Sequence, residues 1–353
     1  MRVYTSIIFW MRAIACLSVV MIHTITTTFY KYDMPNEGYL LRLVQLLILY
    51  ATPMFVFISE FLLAKQYKTK VKEGFIKQKI LTLGIPYIII NLGLAYVYGH
   101  PHNFKDYLES VEFMMFHGGT LTYFIIIIVQ FYALHILFAK YLVRFNPFKI
   151  IIYSLIITTL FWGMRTFIDA PDSSLFHWLW EREGWMIFIG WLSYFFLGFY
   201  MGYHYEKLMA NIQRYTLHIL IGTFAVILIT SINYLSGFLT LVDSKRVDTP
   251  IYVTMIILLF FLVSSYVKYV PRFFISNYSF SIYLIHYFFV HRLGALHDHP
   301  LLNIIFTFTL TVTFSVCIAY IFNLNKYGKY VVGGIGKVKY ETFYQSYKNN
   351  LVD

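Results

Sequence analysis

The chain has 353 residues, of which 59% are hydrophobic, 21% aromatic and only 13% charged, with a formal net charge of +11. A water-soluble domain carries roughly 25% charged residues, so this composition excludes a soluble enzyme, and apolar runs along the whole length exclude a soluble domain on one anchor. The positive charge is no nucleic-acid footprint, since no basic stripe is interleaved with stacking aromatics on a polar domain.

Splitting the chain at charged, Pro-rich or Gly-rich breaks predicts helices over 7–29, 40–63, 80–98, 120–139, 150–168, 185–203, 215–235, 251–267, 277–293 and 302–324. The first is too long for a signal-peptide core and no small-residue cleavage site follows it, so it is expected to stay as helix 1. The reading is an all-α, polytopic integral membrane bundle of about ten transmembrane helices. One transmembrane domain covers 1–325, and 326–353 is a polar cytoplasmic tail with little expected effect on function. Connections 64–79, 140–149, 204–214 and 268–276, with both termini, hold 19 of the 28 Lys and Arg residues. That bias puts both termini in the cytoplasm.

Ionisable side chains inside a span are costly and mark candidate sites. They are Arg12 and His23 in the first segment, Arg42 and Glu60 in the second, His135 in the fourth, Arg165 in the fifth, His218 in the seventh, and His286, His291 and Arg292 in the ninth. Eleven residues at 100° each return Arg12 and His23 to one helical face, ~16 Å apart along the axis. Cys16 and Thr27 fall on the same stripe. Two readings are open: Arg12 snorkels to the inner interface while His23 is a hydrogen-bonded core histidine, or Arg12 holds an anionic cofactor and His23 is a general base in the same cavity.

The run MRAIACLSVVMIH at 11–23 resembles the first-helix signature of the membrane-bound acyltransferase-3 family. TPMFVFISEFLL at 52–63, FIKQKILTLGIPY at 75–87, GWLSYFFLGFYMGYHYEKL at 190–208 and SNYSFSIYLIHYF at 276–288 agree with it in order and placement. The 190–207 and 123–132 segments are most similar to its intercellular-adhesion branch, linked to poly-β-1,6-N-acetylglucosamine biofilm. The resemblance covers nearly the whole chain.

It implies a bacterial plasma-membrane O-acyltransferase that moves an acyl group, acetyl or succinyl, from cytoplasmic acyl-CoA to a hydroxyl of a surface glycan or its sugar precursor. Membrane lipid and a polysaccharide synthase are the further partners it suggests, and no metal is expected. His23 matches the family's essential histidine and Arg12 its paired basic residue; Lys77 and Lys79 stand where relatives often carry Arg and would face CoA phosphates, as point charges without the arginine fork. Glu60 departs from the family, where many members have Gly; it is a catalytic candidate that could pair with Arg12, orient a catalytic group or be a solvated end residue, and pairing with Arg12 is the preferred reading. A covalent acyl-enzyme on Cys16 is the less favoured variant, because a buried cysteine is inert unless its thiolate is stabilised. The pairs His100/His102 and His297/His299 show no complete metal-ligand set. The alternative function is export of poly-β-1,6-N-acetylglucosamine or a related glycan, although the repeated halves common in transporters are not evident.

Overall fold

The computed structural model describes residues 4–32, 34, 37–172, 174–267 and 274–336. Its helices are α1 (Tyr4–Phe29), α2 (Glu37–Leu47), α3 (Ala51–Tyr67), α4 (Phe75–Lys79), α5 (Ile85–Gly99), α6 (Phe104–Phe116), α7 (Phe124–Leu142), α8 (Pro147–Phe167), α9 (Ser174–His177), α10 (Leu192–Tyr203), α11 (Tyr205–Asn211), α12 (Thr216–Leu235), α13 (Thr249–Tyr266), α14 (Ile275–Val290) and α15 (Pro300–Asn323). No strand occurs among the described residues. With eight candidate spans, the protein is a polytopic helical membrane bundle.

The eight spans match eight of the ten predicted segments. The other two became shorter helices, with 12 residues in α10 and 16 in α14, against the ~20 needed to cross a hydrocarbon core. Both are buried over most of their length and pack inside the bundle. A helix enclosed by protein does not have to match the lipid thickness. Lipid instead meets α8 and α12, only 17% buried across their most apolar windows, where Ile156, Leu160, Phe224 and Leu228 point outward.

Close packing at the centre depends on two glycines four residues apart. A Cβ on Gly198 would stand 2.9 Å from the Phe57 carbonyl, and one on Gly202 would collide with the Phe61 carbonyl. Small residues at this spacing let two membrane helices approach backbone to backbone, which brings α10 onto α3. A second local feature is the π turn Ile80–Gly84 between α4 and α5, closed by the Ile85 N–H on the Ile80 carbonyl. Pro86 cannot donate to a carbonyl one turn back, and the wider turn accommodates it.

The tail is packed as far as it is described. Gly336 N–H donates to the Asn277 carbonyl at 3.0 Å, and Ser281 Oγ and Asn323 Nδ2 both donate to the Gly333 carbonyl. Gly333 has φ +83°, and a Cβ there would meet Phe280. Residues 337–353 lie outside the described residues.

Candidate active site

Two cavities open beside α1. The first, about 380 Å³, lies at the lysine-rich end and is lined by Arg12, Ser59, Lys79, Tyr132, Tyr283 and Lys329, among others. An adjoining cavity of about 260 Å³ shares Ser59, Lys79 and Tyr132 with it and adds Lys72. No carboxylate lines either one. Lys79 Nζ sits 5.0 Å from the centre of the Tyr132 ring, a cation–π contact that holds an ammonium without neutralising it. Arg12 makes no ion pair among the described residues.

The second cavity, about 250 Å³, lies at the other end of α1 and includes His23, Thr120, Tyr123, Trp185, Lys245 and Tyr287 in its lining. Lys245 Nζ is 2.5 Å from Asp243 Oδ1 and 4.2 Å from the centre of the Trp185 ring. Burial pulls the Lys245 ammonium down, but the Asp243 carboxylate and the Tyr123 hydroxyl outweigh it and hold Lys245 above its ordinary value. Gly118, with φ +66°, and Gly119 bring backbone to the cavity. The neighbouring His117 is instead bonded to Glu183. That bond outweighs partial burial and holds the Glu183 carboxyl below its ordinary value.

Tyr283 connects the linings of the two cavities. Its ring lies 4.2 Å from Phe124 and 5.7 Å from Phe55, all three lining the Arg12 cavity. Its hydroxyl donates to the Leu121 carbonyl at 2.6 Å, and Leu121 lines the His23 cavity. One side chain thus joins the two linings.

Arg12 and His23 each line a cavity, but two different ones and not the single cavity of the second reading. Cys16 between them is buried, its Sγ 3.5 Å from the Ser279 carbonyl and facing α14. Lys79 joins Arg12, whereas Lys77, two residues away on the short helix α4, is exposed and lines neither cavity. The expected Arg12–Glu60 pair does not form. Glu60 follows Ser59, which faces the Arg12 cavity, and a 100° step turns it toward α7. There Glu60 Oε1 lies 2.6 Å from His135 Nδ1, with both side chains fully buried. A carboxylate takes the partner its own face meets, and that partner is 75 residues away in sequence.

Lys72, Tyr132, Tyr283, Lys329, Asp243 and Lys245 were not singled out from sequence. The only signal for Lys245 was the charged run VDSKRVD, and Lys329 lay in a segment read as tail. Among the described residues no three His, Cys, Asp or Glu side chains gather as a metal site.

The acyltransferase domain family matches residues 7–324. A Bacillus subtilis (strain 168) protein named as a membrane-bound acyltransferase, YfiQ, is 32% identical over 94% of this chain and 95% of its own length. Proteins named for poly-beta-1,6-N-acetyl-D-glucosamine export are 30% identical in Staphylococcus aureus, over 58% of this chain and 59% of theirs. In Staphylococcus epidermidis such a protein is 26% identical, over 61% and 60%. No solved structure matches the chain.

Proposed function

The chain belongs to the acyltransferase domain family, and on that premise we propose that it is an O-acyltransferase acting across the bacterial cell membrane. It moves an acetyl or succinyl group from acyl-CoA to a hydroxyl of a surface polysaccharide or its sugar precursor. The lysine-rich end faces the cytoplasm by the positive-inside rule. The observation that carries this reading is the pair of unlike cavities that α1 presents: one has cations and no carboxylate, the other a histidine among aromatic and polar groups with the Lys245–Asp243 pair and Arg182.

Phosphates are drawn to clustered, unpaired cations, so Arg12, Lys79, Lys72 and Lys329 receive the CoA end of the donor. The pantetheine arm runs toward Phe55, Phe124 and Tyr283. An acceptor hydroxyl lies at His23, which takes its proton as the oxygen attacks the thioester carbonyl carbon. The C–S bond then breaks, and the CoA thiolate leaves with that proton. Aromatic faces such as Trp185 and Tyr287 suit a sugar ring. Glu60 faces neither cavity and is assigned no part in the chemistry.

Export is the second reading, favoured by the names of the staphylococcal relatives. It needs a continuous passage, whereas these two cavities are distinct and share no lining residue. Purified protein in vesicles, given acetyl-CoA and a β-1,6-linked N-acetylglucosamine oligomer, should release free thiol and yield an O-acetylated oligomer by mass. Oligomer crossing the vesicle wall with no thiol released would replace this reading with export.

A further inference from the structure

One buried histidine has no part in the scheme above. His286 in α14 is fully buried and reaches neither cavity lining. Its Nδ1 lies 3.0 Å from the Ile282 carbonyl and 2.7 Å from the Tyr283 carbonyl. Carbonyl oxygens only accept, so Nδ1 carries the proton, and in the neutral ring Nε2 is left as a bare acceptor. Nε2 has no hydrogen-bond partner among the described residues. A buried acceptor without a donor is costly, and a protonated ring in its place would bury an unpaired charge, which costs more.

With Nδ1 turned back on its own helix, Nε2 lies on the outer edge of the ring. Facing that ring from α1 is His23, at a centroid distance of 5.6 Å and a tilt of 43°. His23 is the ring of the two that lines the cavity. We propose that His286 is the positioning residue for His23: a small turn of the His23 ring, already in contact with His286, brings its N–H onto the unfilled Nε2, which holds the proton on the inner nitrogen and leaves the outer nitrogen bare toward the acceptor hydroxyl. A general base oriented by a third group in this way is the arrangement that activated nucleophiles generally require. The backbone bonds of His286 fix its own tautomer and so fix that of His23. This inference rests on the acyl-transfer reading for its consequence, but not for its geometry.

Two measurements test it separately. In the first, full-length protein in lipid vesicles is assayed with acetyl-CoA and the β-1,6-N-acetylglucosamine oligomer. His286→Leu should lower kcat roughly 10- to 100-fold, less than the ~10²–10⁴-fold a base itself contributes, with KM for acetyl-CoA unchanged. His286→Gln, whose amide oxygen can accept at the Nε2 position, should keep most of the rate. Equal loss in both variants, or a wild-type rate in His286→Leu, would overturn the positioning role. In the second, ¹⁵N chemical shifts of labelled histidines should show one fixed neutral tautomer at His23 that becomes mixed in His286→Leu and stays fixed in His286→Gln. A mixed tautomer already present in the wild type would refute the pairing whether or not any thiol is released. A wild type with the fixed tautomer and no thiol release would leave the pair standing and remove the acyl-transfer reading instead.

Discussion

The two ends of α1 differ in how charge is held. Around Arg12 the cations are left without carboxylates, whereas around His23 the ammonium of Lys245 is matched by Asp243 and covered by Trp185. The first end holds cations alone, while the second sets Asp243 against Lys245, keeps Arg182 over the Trp185 ring, and offers hydrogen bonds and ring faces. An unmatched cluster of cations at the membrane is costly, which is why the charged donor is assigned to it. The His23 end, with its ring faces and hydrogen-bonding groups, is the one assigned to a glycan.

The largest expected effect breaks the His23 end. His23→Ala should reduce acyl transfer by ~10²–10⁴-fold while acetyl-CoA still binds, measured by rate and by equilibrium binding on the same vesicles. Wild-type transfer in this variant would remove the catalytic assignment. Arg12→Ala breaks the opposite end and should weaken acetyl-CoA binding about 10- to 100-fold, the equivalent of about 1.5–3 kcal/mol for one charged hydrogen bond. If both variants lost affinity alike, the division of labour between the two cavities would be wrong.

A third change contrasts open sites with a sealed one. His135→Ala leaves the buried Glu60 without its partner and should cost about 1–3 kcal/mol of stability, read as a lower thermal midpoint, while the activity per folded molecule is retained. Lys329→Gln should give a smaller, few-fold loss of acetyl-CoA affinity that fades at high salt, as expected of screened charges, and Lys77→Gln should give none. Equal losses at Lys77 and Lys329 would mean that the tail is not part of the donor cavity.

The smallest effect is at the rim of the His23 end. The Glu183 carboxyl is held below its ordinary 4.5 by His117, so its stabilising contribution is present above pH 4.5 and is lost as the pH falls through its lowered value. Glu183→Gln should therefore flatten the acid side of the thermal midpoint against pH, and leave it unchanged near neutrality.

The sequence alone determined what depends on composition and on short-range periodicity. Low charge and long apolar runs established a membrane bundle, and the constant 100° step placed Arg12 and His23 on one stripe. The same step could not show that this stripe passes from one cavity to another, because a cavity is made by the helices opposite. The tertiary structure decided the rest. It joined Glu60 to His135, brought Lys329 from a presumed tail beside Arg12, and set His286 against His23. Each of these pairings links residues far apart in the chain. Their proximity depends on which helix faces pack, as where Gly198 and Gly202 admit α10 to α3, and no local pattern encodes that choice.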